Sequence, residues 1–132
     1  MKGCYALIMH LDRKADIRVG SLGITHFPNG HYLYLGSAMN GIERRIKRHL
    51  RDRKKLHWHI DYLLKKAEIS AIYCLETSER LECILAQRFT DSFEVVPKFG
   101  SSDCSCKGHL FYGEREDLVD SALDNGMKEL HL

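Results

Sequence analysis

The sequence lacks a long apolar run, a recognisable leader and any repetitive tract. No apolar run in its 132 residues approaches the roughly 18 residues that a membrane-spanning helix needs. The apolar N-terminal segment Cys4–Met9 is too short for a signal peptide, and no small-residue cleavage site follows it. No internal repeat, linker or low-complexity segment interrupts the chain. We therefore expect one domain over residues 1–132, located in the cytoplasm and without a membrane partner.

The cysteine pattern argues against a disulfide framework. The chain has five cysteines, an odd number, and no export signal accompanies them. Reduced thiols are therefore expected. Cys4, Cys74 and Cys83 occupy core-like positions, whereas Cys104 and Cys106 form a close pair.

The close cysteine pair opens a C-x-C-x-x-H segment that ends at His109 and offers three zinc ligands. His57 or His59 could supply a fourth ligand and close a structural zinc site. The alternative is a tight turn over Gly100–Asp103 followed by buried thiols. The sequence favours the turn, because structural zinc ligands usually come from two well-separated pairs.

The positive charge is concentrated in one segment of the chain. Between Gly41 and His57, eight Lys or Arg residues accompany two acidic ones, a local net charge of +6, whereas the remainder holds twelve basic and sixteen acidic residues, a net of −4. Such segregation is typical of a polyanion site, although charge runs also occur on solvated helix faces. The residues predicted to bind nucleic acid are Arg44, Lys47, Arg48, Arg51, Lys54, Lys55 and His59.

Apolar periodicity predicts a mixed fold. Gly3–Leu11 and His31–Leu35 alternate between two faces, as strands do, and Asn29-Gly30 predicts a hairpin turn before the second strand. Further strands are predicted at Ile17–Val19, Ile24–Phe27, Glu68–Leu75 and, last, Phe93–Lys98; helices are predicted from Gly41, over Leu56–Lys66, from Glu79 to Thr90 with Thr77 or Ser78 as N-cap, and over Glu116–Glu129. We expect an α/β (α+β) domain with a small, mostly antiparallel sheet flanked by helices.

The basic helix carries an apolar stripe and, beside it, two polar groups suited to phosphate. The stripe consists of Ile42, Ile46 and Leu50. Arg45 and His49 are four residues apart and therefore lie on one face of the helix. Because the preceding strand ends near Tyr34, this tyrosine is expected to face the Arg and the His across a phosphate site.

These motifs resemble those of the GIY-YIG nuclease family. Gly3-Cys4-Tyr5 and Tyr34-Leu35-Gly36 are similar to the paired tripeptides of that family. The helix that follows is similar as well, through Ile42, Arg45 and His49. The segments LHWHIDYLL and FGSSDCSCKGHLFY resemble one branch of the family, found alone or fused to an endonuclease III-type glycosylase.

The resemblance implies a metal-dependent endonuclease that hydrolyses phosphodiester bonds in DNA, in DNA repair or recombination. The sequence does not decide between DNA and RNA as the target. Glu82, in preference to the nearby Glu79, would bind one Mg²⁺ or Mn²⁺ ion, and Arg45 would bind phosphate. Tyr5 would act as general base, with Tyr34 as its partner and with His49 sharing the role. A homodimer or a DNA-repair partner protein would help so small a domain grip its substrate.

Two other functions fit parts of the same pattern. The basic groove could bind nucleic acid without cutting it, or the chain could be a zinc-stabilised interaction domain with no polyanion partner. Tyr5 and Tyr34 would then be ordinary strand aromatics, and Glu82 would serve the helix N-terminus. The complete set favours cleavage, because binding alone does not need a carboxylate in a groove meant for phosphate.

Overall fold

A computed structural model describes residues 1–102 and 104–132 of the chain. It contains helices and strands in one α+β domain, as the sequence predicted. The elements in chain order are β1 (Gly3–Leu11), β2 (Ala15–Arg18), β3 (Ile24–Phe27), β4 (Gly30–Ala38), α1 (Ile42–His49), α2 (His59–Leu63), β5 (Glu68–Glu76), α3 (Glu82–Ser92), β6 (Glu94–Val95), β7 (Leu110–Gly113), α4 (Arg115–Asp124) and β8 (Lys128–Glu129). Within the described ranges, no helix is long and apolar enough to cross a membrane.

Six of the strands form one sheet in the order β6-β7-β4-β1-β5-β8, and the pairs in it are antiparallel. The first strand is central, because β4 pairs along one of its edges and β5 along the other. Strands β2 and β3 form a separate two-stranded sheet. The predicted small, mostly antiparallel sheet with flanking helices is confirmed.

The two faces of β1 are both buried, and each face belongs to a different half of the core. Tyr5 and Leu7 pack on one face together with residues of α1 and α2, whereas Ala6 and Ile8 pack on the other with residues of α3 and α4. Helix α1 buries Ile42 and Ile46 of its predicted stripe, but Leu50 is exposed. The side chains of Tyr5 and Tyr34 and the buried residues of the basic helix therefore lie on the same face of the sheet.

The predicted hairpin turn at Asn29-Gly30 is wrong. Strand β3 pairs with β2, whereas β4 pairs with β1 and β7. The cause lies in burial. Strand β3 alternates exposed residues with a partly buried and a buried one, whereas β4 is largely buried on both faces and enters the main sheet. The predicted strand His31–Leu35 accordingly extends to Gly30–Ala38.

The helix around Trp58 is much shorter than the predicted Leu56–Lys66, because α2 spans only His59–Leu63. The carboxylate of Asp61 accepts hydrogen bonds from the backbone N–H groups of His57 and Trp58, both at 2.9 Å. This side chain therefore holds the residues before the helix in an extended conformation and fixes where the helix begins.

Three other predicted boundaries also differ. The helix predicted from Glu79 begins at Glu82, because Thr77 Oγ1 accepts the N–H of Glu79 in a local turn before the helix. Helix α4 ends at Asp124 instead of Glu129, since Gly126 has a positive φ of 86° and turns the chain back into β8. The predicted last strand is only the two-residue β6 and is not the last. The predicted turn over residues 100–103 includes Asp103, which lies outside the described residues.

Candidate active site and metal-binding cluster

Both glycines of the paired tripeptides stand where a side chain would collide. Tyr5 and Gly36 are direct partners across β1 and β4, and a Cβ at Gly36 would lie 2.4 Å from Cζ of Tyr5. Gly3 has a φ of +146°, and a Cβ there would lie 2.0 Å from the carbonyl oxygen of Leu75. Gly36 thus leaves room for the ring of Tyr5 against β4, and Gly3 lets the start of β1 lie close to the backbone of β5.

Helix α1 brings His49 onto the two tyrosines. Tyr5 Oη lies 2.6 Å from Nε2 of His49, and the ring of Tyr34 is centred 6.5 Å from that of Tyr5 and 6.2 Å from that of His49. Burial lowers the pKa of His49 to about 4, although the carboxylate of Asp61 acts in the opposite direction. The imidazole is therefore neutral at pH 7 and can accept a proton.

Both tyrosines are neutral phenols in this environment. Burial raises the pKa of Tyr5 above its ordinary value, and the charge of Arg45 opposes that rise. Burial also raises the pKa of Tyr34 well above its ordinary value, and the charges of Tyr5 and Glu82 add to the effect. Ionisation of either phenol therefore requires further positive charge near the hydroxyls.

Two arginines of α1 stack on the indole ring of Trp58. The guanidinium carbon of Arg45 lies 4.5 Å from the ring centroid, and that of Arg48 lies 4.2 Å from it. Arg45 also donates from Nη1 to the carbonyl oxygen of Ser37 at 3.1 Å. Stacking and this hydrogen bond hold the half-buried Arg45 in one orientation beside the tyrosines.

Arg48 serves a different purpose, because it binds Asp61. Its two terminal nitrogens donate to the two carboxylate oxygens at 3.0 and 3.1 Å, and Asp61 is fully buried. Burial alone would raise the pKa of Asp61, but the hydrogen bonds from Arg48 and from the N–H groups of Trp58 and His57 lower it overall. The pair joins α1 to α2.

The other residues predicted to bind nucleic acid divide into two groups. Lys54 donates to the carbonyl oxygens of His49 and Arg51, at 2.8 and 2.7 Å, and His59 Nδ1 accepts the N–H of Gly100 at 2.9 Å. The remaining four are exposed to solvent: Arg44, Lys47, Arg51 and Lys55.

Glu82 is the first residue of α3, and its half-buried side chain contacts His109. Its charge contributes to the raised pKa of both Tyr5 and Tyr34. Its Oε2 lies 2.5 Å from Nδ1 of His109. Glu79, by contrast, is exposed. The structure thus brings Tyr5, Tyr34, Arg45, His49 and Glu82 to one place.

A second cluster of side chains adjoins Glu82 and could hold a metal ion. One ligand atom from each of four residues lies within 4.8 Å of the others: Cys83, Cys104, Cys106 and His109. Cys104 Sγ is 3.5 Å from Nε2 of His109. Burial raises the pKa of Cys104, but hydrogen bonds from Cys106 and the charge of His109 lower it overall. A lowered pKa favours the thiolate, which is the form that binds metals.

The sequence prediction was wrong about Cys83, which is exposed on α3 instead of buried in the core. The fourth potential ligand of the cluster is Cys83, and not His57 or His59, the two candidates from the sequence. The sequence carried one signal for the exposure of Cys83: on the helix, it lies outside the buried stripe of Leu85, Ala86 and Phe89. Its proximity to Cys104 has no signal in local spacing.

Comparison with known proteins gives a family but no function. No curated protein and no solved structure matches the chain. One family model matches residues 4–132, nearly the whole chain. Its description is a domain of unknown function, DUF123. The chain therefore belongs to the DUF123 family.

Proposed function

We propose that the chain is a divalent-metal-dependent endonuclease that hydrolyses phosphodiester bonds in DNA. One observation carries the proposal: a phenol of β1, an imidazole and a guanidinium of α1 and a carboxylate of α3 lie near one another. Each group has a role in phosphodiester hydrolysis. The resemblance of the paired tripeptides and of α1 to those of GIY-YIG nucleases supports the same activity. We extend the proposal to a role in DNA repair or recombination.

Tyr5 and His49 are suited to remove the proton from an attacking water. As the water attacks phosphorus, Tyr5 Oη accepts its proton and passes the phenolic proton to Nε2 of His49, 2.6 Å away. This transfer requires a neutral imidazole protonated on Nδ1, and the low pKa of about 4 keeps His49 neutral. Tyr34, on the adjacent strand, is the partner that packs against both rings.

Arg45 is suited to bind the phosphoryl oxygens. Its planar guanidinium presents several donors in a fixed geometry, which matches two oxygens of a phosphate. The stacking on Trp58 and the hydrogen bond to Ser37 orient it before the substrate binds. The exposed Arg44, Lys47, Arg51 and Lys55 would extend positive charge along the nucleic-acid backbone.

Glu82 is suited to hold the cation. A carboxylate is a hard ligand of the kind Mg²⁺ or Mn²⁺ prefers, and these ions usually take few protein ligands together with water and phosphate oxygens. When bound, the ion supplies positive charge for the phosphate and the departing oxygen. Of the two carboxylates on this segment, only Glu82 influences the tyrosines.

The test is cleavage of labelled single-stranded, duplex, flap, four-way-junction and abasic DNA, and of RNA, with Mg²⁺ or Mn²⁺. Glu82→Gln and Arg45→Lys should each lower the rate by about 100-fold or more. The matched controls Glu79→Gln and Arg13→Lys, both on exposed residues outside the candidate site, should cleave normally. Circular dichroism confirms that each variant is folded.

Three outcomes would contradict the proposal. Cleavage that survives Glu82→Gln would assign the activity to a contaminant or another site. Salt-sensitive binding without cleavage of any substrate would identify a nucleic-acid-binding module instead. Neither binding nor cleavage would leave the basic segment as a solvated helix face.

A further inference from the structure

The four ligand atoms of the metal-binding cluster come from two separate parts of the chain. Cys83 belongs to the first turn of α3, and the other three residues belong to the segment that precedes β7. His109 is fixed by its backbone as well, because its N–H donates to Phe99 at 2.7 Å and its carbonyl oxygen accepts the N–H of Leu35 at 2.9 Å. A metal ion here would join α3 to the centre of the sheet.

The chemistry and the spacing of the cluster fit zinc. Three thiolates and one imidazole are a common donor set for closed structural zinc sites. Zinc bonds of about 2.3 Å to sulfur and about 2.0 Å to nitrogen place tetrahedral ligand atoms roughly 3.5–3.8 Å apart. The Cys104–His109 distance of 3.5 Å already meets this value, and all pairs lie within 4.8 Å.

We infer that Cys83, Cys104, Cys106 and His109 bind one zinc ion, and that zinc-bound His109 positions Glu82 for the active site. The second half of this inference rests on the proposed function of Glu82. Metal-binding histidines commonly donate their second ring N–H to a carboxylate, which fixes the ring and strengthens the metal bond. Here Nε2 faces the thiols and Nδ1 faces Oε2 of Glu82, at 2.5 Å.

Glu82 then belongs to both sites. Its Oε2 lies 2.5 Å from Nδ1 of His109, a buried ring nitrogen with no other partner among the described residues. Because Oε2 is held by His109, the carboxylate cannot rotate freely. Its other oxygen, Oε1, is therefore presented to a cation in one orientation. His109 is thus a positioning residue, and the zinc ion is a structural anchor outside the reacting groups.

The zinc site is tested on the reduced, full-length protein by elemental analysis and by the visible spectrum after Co²⁺ exchange. We expect one zinc per chain and the intense absorption of tetrahedral Co²⁺ with thiolate ligands. Cys83→Ser should lose the zinc, whereas the matched control Cys74→Ala, a cysteine outside the cluster, should keep it.

Two outcomes would overturn the zinc site. One is a reduced wild-type protein that does not take up zinc in competition with a chromogenic chelator, a measurement that depends on no variant. The other is unchanged zinc content in Cys83→Ser. A disulfide between two cluster cysteines in the protein purified without reductant, together with no zinc uptake after reduction, would assign the cluster to redox chemistry.

The coupling is tested with His109→Cys, because four cysteines also make a normal zinc site. This variant should keep its zinc but lose the contact to Glu82. Mn²⁺ affinity, measured by electron paramagnetic resonance of the unbound ion, should fall about tenfold. Glu82→Gln should abolish Mn²⁺ binding and lower zinc affinity by about tenfold.

Zinc content and Mn²⁺ affinity separate the inference from the proposed function, because neither measurement depends on DNA cleavage. Unchanged Mn²⁺ affinity in His109→Cys would overturn the coupling, and so would Mn²⁺ binding that does not depend on Glu82. Zinc and Mn²⁺ results as expected, with no cleavage of any substrate, would overturn the nuclease alone.

Discussion

Tyr5 Oη lies 2.6 Å from Nε2 of His49, although the two residues are 44 positions apart in the chain. The contact needs the central strand, the glycine across from Tyr5 and the last turn of α1 to be in place together. A proton can move between the two side chains without passing through solvent, because both are buried. The two residues should therefore behave as one unit in catalysis.

Tyr5→Phe and His49→Gln should each lower the cleavage rate by about 100-fold. The double variant should be about as slow as either single variant, because each substitution breaks the same proton path. The measurement is single-turnover cleavage with saturating Mg²⁺. The control is Tyr112→Phe, which removes a hydroxyl that donates to the carbonyl oxygen of Asn29, just before the start of β4. Multiplying effects in the double variant would show that the two residues act separately.

Acid should destabilise the fold through His49. Its pKa is about 4 in the folded protein and about 6.5 in an unfolded chain, so the unfolded state binds the proton first as the pH falls. The stability that a neutral His49 provides is complete above about pH 6.5 and is lost progressively down to about pH 4, by roughly 3 kcal/mol.

Urea unfolding of the wild type and of His49→Gln at several pH values between 4 and 8 measures this contribution. The charges near the imidazole are Asp61, which favours protonation, and Arg45, Arg48 and Lys54, which oppose it. The free energies of the two proteins should converge as the pH falls. Curves that stay parallel over this range would show that His49 does not couple to stability.

Gly36→Ala should destabilise the protein by about 2–3 kcal/mol. The added methyl group would overlap the ring of Tyr5, which cannot leave without disturbing His49 and the neighbouring strand. Urea unfolding measures the change, with Ser37→Ala, the next residue of the same strand, as the matched control. A loss below about 0.5 kcal/mol, the usual size of a surface substitution, would mean that the ring moves freely.

Asp61→Asn should cost about 3 kcal/mol of unfolding free energy. It removes the charge that balances the guanidinium of Arg48, and an amide can no longer accept from that group and from both backbone N–H groups. Asp52→Asn, on an exposed residue of the neighbouring loop, is the control. Equal unfolding midpoints for the two variants would contradict a structural role for the Arg48–Asp61 pair.

Lys47→Gln should weaken DNA binding for every sequence alike and reduce the slope of log Kd against log salt by about one. The measurement is fluorescence anisotropy of a labelled duplex at several salt concentrations. Lys128→Gln removes an exposed lysine from the edge strand β8, outside the basic segment, and should leave the slope unchanged. The same slope in both variants would place the DNA elsewhere.

The sequence predicted those elements in which one local pattern decides the structure. Alternation placed Tyr5 and Tyr34 on one face of β1 and β4, and helical spacing placed Arg45 beside His49, because both periods depend only on backbone geometry. Element boundaries were harder, because a single side chain decides them: Asp61 fixes the start of α2.

Long-range pairing was not predictable from local pattern. Nothing near Asn29-Gly30 shows that β4 pairs with the first strand instead of with β3. Cys83 likewise meets Cys104 only because α3 packs across the sheet near the segment before β7. The spacing of residues along the chain predicts neither contact.

The two edge strands of the main sheet have a consequence for self-association. Strands β6 and β8 are two residues long each, whereas three of the four inner strands, β1, β4 and β5, have nine residues each. Short edges offer few backbone groups for another chain to extend the sheet. If two copies associate on DNA, they must therefore meet through side chains on their helices and loops, and a continuous sheet across the pair is not available to them.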